Sequence, residues 1–326
     1  MIRRSPQCVG TIARRLRPRH HYALGLIGYA APWGSHVPGL MNRLGQGPLS
    51  PMLKQIMGTA RERPLPRFAG QTFWNWFQDH RQPVATDAAP VMLYPDLFTN
   101  IFEPEVLKAA VAVLNHYGRR VLLPRKAPPE VLPLMHFGFL GLAGRHLHTA
   151  IGLLLPFARQ EIPILFVEPS VAAVFIEDLP KIRPDDTETR QVIGQCRTFT
   201  DFLLDIEADL PSRDGHAIVH THCNQKAVLN GDAVNRLVAG IGLEVQVPEQ
   251  GCCGMAGSFG YVKAHNPVSL RIAERNLLPA VRQADAGTLI VADGFSCRSQ
   301  IRDGSDRQPM HSAVLLERLL RERQGQ

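Results

Sequence analysis

The residues best suited to chemistry lie in Gly251-Cys252-Cys253-Gly254-Met255-Ala256-Gly257-Ser258-Phe259-Gly260-Tyr261, two adjacent cysteines inside a glycine-rich stretch. A disulfide between sequence neighbours is strained, because bridge geometry keeps the two Cα atoms well apart. The glycines argue against plain core packing, since they let the backbone approach a ligand closely and present N–H groups to it. Metal or metal-cluster ligation is the chemistry this pattern favours. Four more cysteines stand at 8, 196, 223 and 297. Six at irregular spacing are too few for a secreted disulfide scaffold. The arginine-rich start lacks a clean apolar run with a small-residue cleavage site, so no signal peptide is evident and the cytoplasm is expected.

The elements that must position these thiols follow from hydrophobic runs. Ala217-Ile218-Val219-His220 reads as a strand leading into Cys223, and Leu243-Glu244-Val245-Gln246-Val247 as one leading into the double cysteine. Thr288-Leu289-Ile290-Val291-Ala292-Asp293 leads into Cys297. Helices are expected over Lys226 to Ile241, closed by Gly242, and over Pro267 to Arg282. The carboxyl ends of parallel strands converge on one crevice, so three distant loops can deliver Cys223, Cys252, Cys253 and Cys297 to one place.

The first half has the same rhythm. Strands are expected at Pro90–Pro95, Val121–Leu123 and Pro163–Glu168, with helices over Pro104 to Tyr117, over 137–158 and from Val171 onward. Matching strands are offset by about 125 residues, the mark of a duplicated unit. The expected fold class is α/β: two tandem, internally duplicated α/β units with parallel sheets, preceded by an irregular, helical N-terminal arm. The boundaries read as arm 1–89, first unit 90–185 and second unit 186–326, with 175–215 as connector.

Four cysteines suit zinc or an iron–sulfur cluster. Structural zinc sites favour short C-x₂₋₄-C knuckles, which this chain lacks, so widely separated thiolates point to the larger group. Cys8 and Cys196 lie off the strand-end pattern and read as ordinary thiols. No G-x-S-x-G elbow supports a hydrolase.

His220-Thr221-His222-Cys223-Asn224-Gln225-Lys226, Gly251 to Gly260 and Asp293-Gly294-Phe295-Ser296-Cys297 resemble the cysteine-rich CCG domains. These occur in heterodisulfide reductase and in the iron–sulfur subunits of glycolate oxidase, anaerobic glycerol-3-phosphate dehydrogenase and lactate-oxidation systems. The likeness is strongest to the carboxyl-terminal part of FAD-linked fusions of the D-lactate dehydrogenase or glycolate oxidase type, over residues of about 13 to 320, with Leu16 to Tyr22 included. The resemblance implies Cys223, Cys252, Cys253 and Cys297 as ligands of a cluster, four-iron where four cysteines serve. It also implies electron transfer from a flavin to an acceptor such as quinone.

Departures from that pattern narrow the expectation. In the first unit the matching positions are Asp96, Pro129, Glu130 and Val171, so no second cluster is expected there. Gly294 stands where the fullest motif has another cysteine, so the four-cysteine cluster is expected rather than the five-cysteine non-cubane one. The ferredoxin cysteine run and a FAD domain are absent, so FAD is expected only on a partner chain. His222 and Gly254 join the cofactor-binding set: a histidine to hydrogen-bond the cluster or carry a proton, and an N–H to approach sulfide. His220, Lys226, Asp293, Ser296, Phe259 and Tyr261 are neighbours with equally ordinary structural explanations.

Residues 1–90 hold twelve Lys/Arg against three acids, a net +9 in a chain of net +7. Such an arm suits an acidic partner or an anionic lipid surface; its arginines are scattered without a nucleic-acid motif, and nucleic acid is not expected. Tyr22 to Trp33 is apolar but too short and broken to span a bilayer, and Phe73-Trp74-Asn75-Trp76-Phe77 reads as a packed anchor. Two functions follow. One is an iron–sulfur electron-transfer subunit, an oxidoreductase component serving a FAD-linked 2-hydroxy-acid dehydrogenase or a ferredoxin-type partner, cytoplasmic or peripheral on the inner membrane face. The other is a non-redox zinc-binding or scaffold protein.

Overall fold

A computed structural model describes residues 17–324 except 81, 86, 249 and 250; Cys8 and the first sixteen residues lie outside them. Among the described residues seven short strands form the sheets: β1 Pro90–Leu93, β2 Arg120–Leu122, β3 Ile164–Phe166, β4 Cys196–Thr198, β5 His216–Val219, β6 Glu244–Gln246 and β7 Leu289–Val291. One sheet has the order β2-β1-β3-β4 and the other β6-β5-β7. Every pairing among these strands is parallel, with Val91 opposite Val121 and Met92 opposite Ile164, then Ala217 opposite Val245 and Ile218 opposite Ile290. The chain is α/β, and the first strand of each half is central in the same way.

Alternation along the central strands sends side chains to two layers. Val91 and Leu93 face a core shared with Ala217 and Val219 of the other sheet, built on the helices Pro104–His116 and Ser312–Gln324. Met92 faces the other way, onto the Leu140–Ala158 helix. Ile218 and Ile290 face Met255, Cys253 and Cys297. The two sheets therefore share one hydrophobic layer, and the opposite face of the second sheet abuts the cysteines.

Three local expectations differ from the structure. The 175–215 stretch is more than a connector, because β4 inside it pairs with β3 (Ile164 opposite Cys196). Cys196 and Thr198 point inward and Arg197 outward, a pattern too short and too polar to read as a strand. The helix expected from Lys226 to Ile241 is two, Cys223–Val228 and Ala233–Gly240. Asn230-Gly231 is a turn pair, and Asn230 Oδ1 accepts from the Asp232 N–H at 3.3 Å. The helix expected over 267–282 is likewise divided into Asn266–Ala273 and Leu277–Gln283.

The arm packs on both halves. Leu24 is buried with Cys253 and Met255, Ala31 with Leu97 and Ile101, and Phe73 in the shared core. The Ala60 N–H donates to Tyr261 O at 2.8 Å, and Arg63 pairs with Asp303 at 3.0 Å. Among the described residues no helix is long and apolar enough to cross a membrane.

Candidate metal centre

Each cysteine-bearing loop has its own local reason for its shape. Beyond β5, the His220 N–H still donates to Val291 O at 2.8 Å, so the chain leaves the sheet only after His220. Cys223 then opens the Cys223–Val228 helix, with His222 as its cap. His222 Nδ1 accepts from the Asn224 N–H at 3.1 Å, and the His222 N–H donates to Gln225 Oε1 at 3.1 Å, a reciprocal capping arrangement. Beyond β6, Gly254 has φ +84°, and a Cβ there would lie 2.2 Å from Ser269 O. Only glycine fits, and its N–H donates to Cys252 Sγ at 3.3 Å. Beyond β7, Cys297 sits in the first turn of the Phe295–Gly304 helix.

These loops meet. Ligand atoms of His220, Cys253 and Cys297 lie within 4.8 Å of one another, all three residues buried. The four thiols are close enough to shift one another's ionisation, in the order Cys223, Cys252, Cys253, Cys297. Hydrogen bonds from Cys223 and Cys253 hold the Cys252 thiol far below its ordinary value, and a hydrogen bond from Cys253 does the same for Cys297. The donors shift oppositely: bonding to Cys252 raises Cys223, and bonding to Cys252 and Cys297 raises Cys253. Four thiols this close cannot all ionise unaided, so ionising them together calls for a cation. The donor set fits a thiolate-ligated metal group.

His222, expected beside the cofactor, caps the helix start with its Nδ1 4.0 Å from Cys223 Sγ, and His220 joins Cys253 and Cys297. His222 has a further consequence at Gly294: a Cβ there would lie 2.4 Å from His222 Cδ2 and 3.2 Å from Cys297 Sγ. The imidazole occupies the room that a cysteine at 294 would need. Lys226 is exposed. Asp293 turns away to accept from the Ser312 N–H at 2.9 Å, and Phe259 stacks on His265.

The chain is similar to enzymes of 2-hydroxy-acid and glycerol phosphate oxidation. It is 26% identical to D-2-hydroxyglutarate dehydrogenase of Pseudomonas putida over 313 residues, 91% of this chain and 30% of that protein. It is 25% identical to one subunit of the anaerobic glycerol-3-phosphate dehydrogenase of Escherichia coli, over 84% of this chain and 70% of the relative. To lactate utilization protein A of Bacillus cereus it is 26% identical, over 69% of this chain and 98% of the relative. The chain therefore spans less than a third of the D-2-hydroxyglutarate dehydrogenase it matches. No protein-family model matches it. These relatives are consistent with an oxidoreductase of the CCG type.

The equivalent place in the first half holds carboxylates. Asp96 caps the Leu97–Ile101 helix, accepting from the Phe98 and Thr99 N–H groups at 3.0 and 3.1 Å. Glu130 Oε1 accepts from the Val131 and Leu132 N–H groups at 3.1 and 3.0 Å. Glu168 was not singled out from the sequence, although the spacing that sets Val171 against Cys297 also sets Glu168 against Gly294. Its Oε1 accepts from Ser170 Oγ at 2.7 Å and its Oε2 from the Phe295 N–H at 2.7 Å. Arg298, the residue after Cys297, was missed too. It is buried, with Nη1 on the Ala292 and Asp293 carbonyls at 2.9 and 2.7 Å and Nε on Glu103 at 2.9 Å.

Proposed function

We propose that this chain is an iron–sulfur electron-transfer subunit whose cluster, of the four-iron type, is held by Cys223, Cys252, Cys253 and Cys297. The observation that carries the reading is the meeting of three strand-end loops at the cysteines, with ligand atoms of Cys253, Cys297 and His220 within 4.8 Å of one another. When bound, an iron–sulfur cluster supplies one-electron transfer. The chain's own residues do the rest. Burial of Cys253 and Cys297 excludes water, Gly254 directs an N–H at Cys252 sulfur, and His220 stands against Cys297. Such N–H contacts and burial tune a cluster's potential.

The electron donor in this reading is a FAD-linked 2-hydroxy-acid dehydrogenase or a ferredoxin-type protein on another chain, and the acceptor a quinone. The role is placed in the cytoplasm or at the inner face of its membrane. Support comes from relatives that carry dehydrogenase names. The test is anaerobic purification with iron, sulfide and EPR analysis, with and without Cys253→Ser. A brown protein bleached by dithionite, whose signal is lost or altered in the variant, is expected. A colourless protein free of iron overturns the reading.

One observation favours a second reading, a single tetrahedral ion in a non-redox protein. His220, Cys253 and Cys297 lie within 4.8 Å of one another, and tetrahedral zinc at ~2.3 Å from sulfur sets neighbouring sulfurs about 3.8 Å apart. One zinc per chain without sulfide would establish it.

A further inference from the structure

Between the arm, the first unit and the loops of the metal centre lies a cleft of about 400 Å³. Native interiors seldom leave voids larger than a water molecule, and this volume is that of a small-molecule pocket. Leu24 and Leu53 of the arm form one side, and Phe102 and Leu132 of the first unit form another. Ser258 and Ser296, from the two loops that carry Cys253 and Cys297, complete the wall. Glu130 and Glu168 are the acids and His136 the imidazole of its lining, and burial lowers the His136 pKa, favouring its neutral form.

The walls set the chemistry of an occupant. Aliphatic and aromatic side chains dominate, so most of the occupant's surface must be apolar. Glu130 and Glu168 are buried and already engaged by N–H groups at helix starts. An anion entering beside two carboxyl groups would meet like charge in a low dielectric. A cation would lose its hydration in an apolar cleft whose carboxylates already have donors. The Ser258 and Ser296 hydroxyls can donate or accept, which suits one small neutral polar group.

We infer that this cleft binds an uncharged, mainly hydrocarbon molecule bearing one small hydrogen-bonding group. The site is separate from the cysteines and goes beyond the electron-transfer reading, because binding there does not need a metal. It is also next to that centre: Ser296 precedes Cys297 directly, and the Phe295 N–H is held by Glu168 of the cleft wall at 2.7 Å. An occupant therefore touches the segment that positions a ligand thiol.

The test uses the full chain and the neutral fluorescent probe N-phenyl-1-naphthylamine, with and without metal. Saturable binding of one probe per chain is expected. Decanol should displace the probe at concentrations at least tenfold below those needed for decanoate or decylamine, which share its tail length. Leu53→Trp and Leu132→Trp fill the cleft from the arm and from the first unit at half-buried positions; each should weaken probe binding at least tenfold while the circular dichroism melt stays near that of the unaltered protein. Should one variant fail to fold, the other and the displacement series still decide. Absence of saturable binding, or binding unaffected by a folded filling variant, overturns the site. Equal displacement by the charged competitors overturns the class of ligand. A chain that binds the probe but takes up no iron or sulfide sinks the electron-transfer reading and leaves this one standing.

Discussion

The Phe295 N–H donates to Glu168 Oε2 at 2.7 Å, across 127 residues of sequence. The other oxygen of Glu168 caps its own helix through the Ser170 N–H and hydroxyl. One carboxylate thus holds two helix starts, one from each half, and the second of these carries Cys297. Glu168→Ala leaves a buried Phe295 N–H without an acceptor, which costs about 1–3 kcal/mol. Glu168→Gln keeps an acceptor and should lose less. Urea unfolding of the metal-free protein measures both, free of any stabilisation by metal.

Arg298 ties the same helix to the first half through charge. It is buried against Glu103, with Arg302 also bonded to that carboxylate, and the arginines hold the Glu103 carboxyl below its ordinary value despite burial. Breaking a buried pair on one side leaves an uncompensated charge, so Glu103→Leu should destabilise by about 3–5 kcal/mol. Glu103→Leu with Arg298→Met removes both charges and should recover much of the loss. A double-mutant cycle in urea gives the coupling.

The sheets were legible because buried parallel strands are continuous apolar runs. Val91-Met92-Leu93 and Ile164-Leu165-Phe166 are such runs, and their recurrence as Ala217-Ile218-Val219 and Leu289-Ile290-Val291 exposed the repeat. β4 was not legible, because three residues centred on Arg197 carry almost no pattern. The thiols were legible by type and by position after strands. The separate tasks of the two histidines were not: histidine is an uncommon N-cap, and nothing local says that His222 caps a helix beside Cys223 while His220 reaches Cys253 and Cys297. Glu168 and Arg298 were hidden for another reason. Their partners, Phe295 and Glu103, are distant in sequence, and no periodicity encodes a contact between halves.

Gly294 and His222 should behave as a coupled pair. A Cβ at 294 would lie 2.4 Å from His222 Cδ2, so Gly294→Cys forces the imidazole out of its capping position. A destabilisation of about 1–3 kcal/mol is expected, typical of overpacking, with metal content reduced. His222→Ala opens the space at the expense of the cap, about 1 kcal/mol. The double variant should therefore be more stable than the sum of the two single losses, and its fifth thiol should resist alkylation when metal is bound. Thermal melts and thiol counts of the loaded protein check both statements.

Asp96 makes stability fall with pH over a defined window. Burial, with Glu168 next in effect, raises its carboxyl to about 7 from an ordinary 3.8, against the lowering pull of Thr99. Between those values the folded chain binds a proton that the unfolded chain releases. Stability from this group is therefore full below pH 4 and is lost as pH rises through about 7. Asp96→Asn cannot ionise, and asparagine is as good an N-cap. The unfolding free energy of the unaltered chain should drop by a few kcal/mol from pH 5 to pH 8 relative to that of Asp96→Asn. Urea titrations of metal-free protein at the two pH values test this. Parallel pH profiles for the two proteins would mean that Asp96 is already ionised at pH 5 and that its helix-start N–H groups outweigh burial.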